Sequence, residues 1–161
     1  MKSIVILSAT AVFVLAGCAT TPRESVSAST QSLTCKPTSE QEISALFDRW
    51  NASLKTGDPR KVVANYADKS ILLATVSNKP RLTPAEKEDY FQHFLENKPV
   101  GTIDSRTIEI GCNTAFDAGL YTFKFEKTGA QVKARYTYTY KWDGKQWLIT
   151  SHHSSAMPEK I

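Results

Sequence analysis

The stretch QVKARYTYTYKWDGKQWLITSHHS, Gln131 to Ser154, reads as two strands and the turn between them. Tyr136, Tyr138 and Tyr140 alternate with Arg135, Thr137 and Thr139, a period of two that puts the tyrosines on one face of a strand. Asp143-Gly144 is a hairpin signal, because glycine takes the positive φ that such a turn needs. Working upstream, Ala115–Glu126 and Thr102–Gly111 have the same character, divided by Lys127-Thr128-Gly129 and Cys112-Asn113. Everything after Gly101 is therefore expected to be strand, in an antiparallel meander.

Ahead of this block the period changes to that of helices. Ser39 and Glu42 make a capping-box pattern, followed by Ile43, Leu46, Phe47, Trp50 and Leu54 at helical spacing. Gly57 closes that helix, and Asp58-Pro59 opens a second with Val62, Val63 and Tyr66 as its apolar side. Ser70–Thr75 is a short strand, Asn78-Lys79-Pro80 a turn. Thr83-Pro84-Ala85-Glu86 starts a third helix carrying Tyr90, Phe91, Phe94 and Leu95. Helices first and a meander afterwards predict an α+β fold, with a strongly curved sheet wrapped over helices to form a cone.

The chain has 161 residues, a single-domain length, and 41% are hydrophobic. Its net charge of +4 is spread along the sequence with no basic stripe, so no nucleic-acid partner is expected. The N-terminus reads as an export signal: Lys2, then an apolar run from Ile4 to Leu15 that is too short to span a bilayer. The run ends in Leu15-Ala16-Gly17-Cys18, which resembles the lipobox of bacterial lipoproteins. That resemblance implies a signal at residues 1–17 and acyl chains on Cys18. It also implies an envelope location, with Ala19 at the next position favouring the outer membrane facing the periplasm. Residues 18–38 are rich in Thr, Ser, Ala and Gln and are expected to form a flexible tether to a domain at 39–159. Cys35 and Cys112 are the two remaining thiols of an exported chain and are expected to pair as a disulfide.

Leu46-Phe47-Asp48-Arg49-Trp50-Asn51, then Thr56-Gly57-Asp58-Pro59 and Tyr66, resembles the opening of nuclear transport factor 2-like domains. Trp142-Asp143-Gly144-Lys145-Gln146-Trp147, with the ending His152-His153-Ser154-Ser155-Ala156-Met157-Pro158, is similar to the calcium/calmodulin-dependent protein kinase II association domain and to stand-alone bacterial SnoaL-like relatives. The resemblance implies a cone-shaped fold, and the alternating Tyr136, Tyr138, Tyr140 and Trp142 give the expectation of self-association as a homodimer or larger through an open sheet face. It also implies an inward Arg135, since the corresponding strand of the kinase association domain carries an inward Arg. A ligand pocket of Arg135, Tyr66, Tyr90, His152 and His153 follows, suited to a small anionic or aromatic ligand. This chain has Ser154 where the kinase domain has an Arg after its final-strand His. With Arg135 inward, the tyrosine face would be outward and would form the self-association surface. No Gly-rich phosphate loop, HRD or DFG is present, so a kinase label would describe a partner domain.

The resemblance also brings an alternative: a small-molecule enzyme of isomerase, dehydratase or cyclase type. Superfamily enzymes of that kind use an Asp or His base opposite Tyr donors. His152, His153 and Asp117 are the candidates for catalysis here, with Asp48 a further carboxylate and Tyr66, Tyr90 and Tyr121 as donors. Both carboxylates read as solvated or turn-bonding, which leaves a non-catalytic association and ligand-binding module as the leading expectation. His93 is expected at a rim or on the surface. Adjacent histidines on a strand point to opposite faces, and no HExxH, CxxC or carboxylate cluster appears, so neither a metal nor a cofactor is expected.

Overall fold

The computed structural model describes residues 34–159. Cys18, the signal and most of the tether lie outside the described residues. Three helices precede or interrupt a five-stranded sheet: α1 (Glu40–Leu54), α2 (Pro59–Val63), β1 (Tyr66–Leu73), α3 (Pro84–Leu95), β2 (Pro99–Gly111), β3 (Thr114–Phe125), β4 (Gln131–Trp142) and β5 (Trp147–Ala156). The sheet order is β1-β5-β4-β3-β2. The four long strands are the expected antiparallel meander, while β1 returns to pair with β5 in parallel.

Local chemistry explains the helix ends. Ser39 caps α1 by accepting from the Glu42 N–H at 3.2 Å. Glu42 does not complete the capping box: its carboxylate accepts instead from Lys36 Nζ at 2.6 Å and Trp147 Nε1 at 3.2 Å. At α3 the box is complete, with Thr83 and Glu86 each satisfying the other's backbone. Tyr66 is not on the second helix as its spacing predicts; α2 ends at Val63 and Tyr66 begins β1, opposite Ile149. Asn65 makes that change of direction possible. Its Nδ2 donates to the Lys61 and Val62 carbonyls at 3.1 and 3.0 Å, and its Oδ1 accepts from Arg49 Nε at 3.0 Å.

Ile43, Phe47, Trp50 and Leu54 bury one stripe of α1 against the sheet. Burying a side chain of this size stabilises by roughly 2–3 kcal/mol. Strand β2 bulges between Ile103 and Ser105, and there β3 carries Gly119, where a Cβ would collide with the Ser105 carbonyl. Asn51 fixes β2 to α1 by accepting from Gly101 N at 2.8 Å and donating to Gly101 O at 2.9 Å.

Cys35 and Cys112 form the expected disulfide, joining the chain ahead of α1 to the β2–β3 turn. Asn113 holds the same junction, accepting from Lys36 N at 2.8 Å and donating to Thr34 O at 3.1 Å. The contacts of the domain thus begin ahead of residue 39. No described helix is long and apolar enough to cross a membrane.

Candidate ligand cavity

The alternation in β4 places Tyr136, Tyr138 and Tyr140 inward, each at most 3% exposed. Arg135 consequently lies on the outer face, exposed, with its Nε donating to Ser155 Oγ at 3.1 Å. The inward Arg135 implied by the resemblance is therefore corrected, and so is the outward tyrosine face. The cause is area: three phenol rings remove far more apolar surface from water than threonine methyls, while Lys133, Arg135 and Lys141 stay hydrated.

Between α3 and the inner sheet face lies a cavity of about 230 Å³. Helix α3 contributes Tyr90, Phe91 and Phe94, strand β3 contributes Tyr121, Phe123 and Phe125, and Trp50 reaches in from α1. The segment after β1 brings Thr75 and Val76; Val76 and Val132, 88% and 41% exposed, mark the rim. The rings meet mostly edge to face, for example Phe94 with Phe123 at 5.6 Å and 81°. None of the residues lining the cavity is charged.

Its polar wall comes from β5. His152 is buried, stacked on Tyr138 with centroids 4.1 Å apart and edge-on to Trp50 at 5.4 Å. Its Nδ1 is 2.8 Å from Tyr66 Oη, which accepts from Trp50 Nε1 at 3.2 Å. Burial lowers the His152 pKa to about 3, with His153 adding to the effect, so the imidazole is neutral at ordinary pH. Beside it Tyr121 Oη donates to Ser154 Oγ at 2.5 Å, and Ser154 also bonds Thr75.

Of the pocket residues expected from sequence, Tyr90 and His152 line the cavity, and Tyr66 stands behind His152 as its hydrogen-bond partner. His153 is exposed on the opposite face with Arg135, so neither belongs to the pocket. The catalytic candidates His152, His153 and Asp117 are not brought together. Asp117, expected to be solvated or turn-bonding, is fully buried instead, accepting from Tyr136 Oη at 2.8 Å and pairing with Arg106 Nη2 at 2.9 Å. Asp48 is exposed, as is His93, whose Nδ1 lies 2.9 Å from the Asp89 carbonyl.

Phe94, Phe123, Phe125 and Ser154 were not singled out as pocket residues by the sequence. The alternation Tyr121-x-Phe123-x-Phe125 on the strand next to β4 was the available signal, because two neighbouring aromatic faces must share one core. Among the described residues, no group of three or more His, Cys, Asp or Glu is placed to hold a metal ion.

A family model described as the calcium/calmodulin dependent protein kinase II association domain matches residues 39–158. The chain belongs to this family. A solved structure from Xanthomonas campestris, described as an association domain of the same kind, is 45% identical; the match covers 80% of this chain and 98% of that one, with a TM-score of 0.72. An NTF2-like protein of unknown function from Pseudomonas putida shares the fold at 18% identity and a TM-score of 0.66, over 78% of this chain and 92% of that one. An NTF2-like protein with a cystatin-like fold from Novosphingobium aromaticivorans does so at 11% identity and a TM-score of 0.63, over 75% and 83%. No curated protein matches the chain.

Proposed function

We infer that this association domain is a self-associating module, lipid-anchored in the bacterial envelope, that holds a small ligand in its cone. The observation that carries the ligand reading is the cavity itself: aromatic walls enclosing about 230 Å³, with a buried histidine among them. Membership of an association-domain family supports self-association. So does the outer sheet face, where Phe116, Ala118, Leu120, Thr137 and Thr139 carry no covering element among the described residues. This face mixes methyl groups and hydroxyls, and it replaces the tyrosine face as the candidate contact between copies. Anchoring rests on the lipobox ending in Cys18.

Sedimentation of the full chain in detergent tests the reading. The chain should run as a dimer or larger assembly. Thr137→Lys, which sits between Ala118 and His153 on the outer face, should shift it to monomer. A wild-type chain that stays monomeric at all concentrations would overturn self-association. In the same preparation Cys18→Ser should move the chain from the detergent phase to the aqueous phase; unchanged partitioning would overturn the lipid anchor.

A further inference from the structure

The hydrogen bonds behind the cavity have a direction. Trp50 Nε1 can only donate, and it donates to Tyr66 Oη. The phenol is left with its own proton to place, and His152 Nδ1 lies 2.8 Å away. Tyr66 therefore donates to Nδ1, which makes Nδ1 the acceptor and puts the imidazole proton on Nε2. Nε2 is buried and has no hydrogen-bond partner. His152 lines the cavity and Tyr66 does not, and the unanswered N–H is on the ring edge turned away from Tyr66. The hydroxyls of Tyr121, Ser154 and Thr75 bond one another through two hydrogen bonds, which leaves one hydroxyl proton among the three.

The cavity is therefore equipped with aromatic walls, unanswered donors of which the His152 Nε2–H is the only one on a ring nitrogen, and no charge. An anion entering it would lose its water and meet no cation. Neither nearby cation lines the cavity: Arg81, over the Tyr90 ring, pairs through Nη1 with Asp89 at 2.8 Å, and Lys87 Nζ donates to the Ser70 and Leu82 carbonyls at 2.9 and 3.2 Å. We propose that the cavity binds a flat, uncharged ring compound whose carbonyl oxygen accepts from His152 Nε2–H. This rests on reading the cone as a ligand site and replaces the anionic ligand expected from an inward Arg135. Flatness follows from the ring-lined walls, and a carbonyl is the acceptor that an N–H satisfies without adding charge.

Calorimetry on the full chain with three probes of one ring system decides the matter: naphthalene, acetylnaphthalene and naphthoate. The ketone should bind about tenfold tighter than naphthalene, the ratio one well-made hydrogen bond supplies. Naphthoate should bind more weakly than the ketone by at least a similar factor. His152→Phe should keep naphthalene binding and bring the ketone down to the same affinity. Should that variant fail to fold, the ranking of the three probes on the wild-type chain still decides. A ketone no tighter than naphthalene, or naphthoate as the tightest probe, would overturn this ligand class while leaving the cone a ligand site. Failure of all three to bind would overturn both readings.

Discussion

Along β3, two parts of the same inner face receive their surroundings in opposite ways. Around Phe123 and Phe125 the sheet meets α3 across an open cavity with no charged side chain in its lining. Around Asp117, a few residues back on the same strand, the space is filled and charged. Tyr136 donates to one carboxylate oxygen at 2.8 Å, and Arg106 Nη2 stands 2.9 Å from the other. Burial pushes the Asp117 carboxyl above its usual range, with Tyr136 and Arg106 pulling it back. A buried ion is stable only among committed partners, so the charged part of the face cannot also be adaptable. The apolar part has no such obligation and leaves room. Capacity for a ligand and capacity to fix the sheet are thus separated along one strand.

The largest test of that separation is Asp117→Ala. It leaves the Arg106 guanidinium and the Tyr136 hydroxyl without their partner, and should cost about 3–5 kcal/mol in denaturant unfolding. A loss below 1 kcal/mol would show that the pair contributes little. A smaller effect should come from acid at the cavity. His152 has its folded pKa depressed to about 3 from 6.5, so only the unfolded chain takes up the proton as pH falls below the ordinary histidine range. Stability from this group is present above about pH 6.5 and should fall by up to about 1.4 kcal/mol per pH unit as pH drops toward the folded value. Comparing unfolding midpoints of wild type and His152→Gln at about pH 7 and pH 5.5 isolates that slope; equal slopes would refute it. The smallest effect belongs to Arg135→Ala, on the outer face. It should change stability by no more than about 0.5 kcal/mol and leave acetylnaphthalene binding unchanged, whereas loss of binding would return Arg135 to the pocket.

Strand β4 was readable to the residue, and the Asp143-Gly144 turn, the cap at Thr83 and the apolar stripe of α1 were equally plain. Each rests on short-range rules: period, turn chemistry, hydrogen bonds within four residues. What failed was the choice of face. Alternation separates Tyr136 from Arg135 but does not orient them, and the resemblance oriented them wrongly. Area of aromatic ring, set against the charges of Lys133, Arg135 and Lys141, carries the correct answer. Tyr66 was misplaced because the apolar spacing runs on past the end of α2, where Asn65 terminates the helix through its side chain. The Arg106–Asp117–Tyr136 cluster joins three strands, and no local pattern in any one of them announces it.

The junction of Cys35 with Cys112 decides how the molecule would carry load. A pull arriving along the chain ahead of Thr34 reaches the disulfide before it reaches α1, because Cys35 precedes the first residue of that helix. Tension then passes through a covalent bond into the β2–β3 turn and is spread over the paired strands, whose hydrogen bonds share it. Helix α1, with Trp50 and the inner wall of the cavity, is left outside the line of force. A domain tugged from its N-terminal side would therefore keep its cone unstrained, and reducing the disulfide would leave the same tension to the Asn113 hydrogen bonds and, once these part, to the helix.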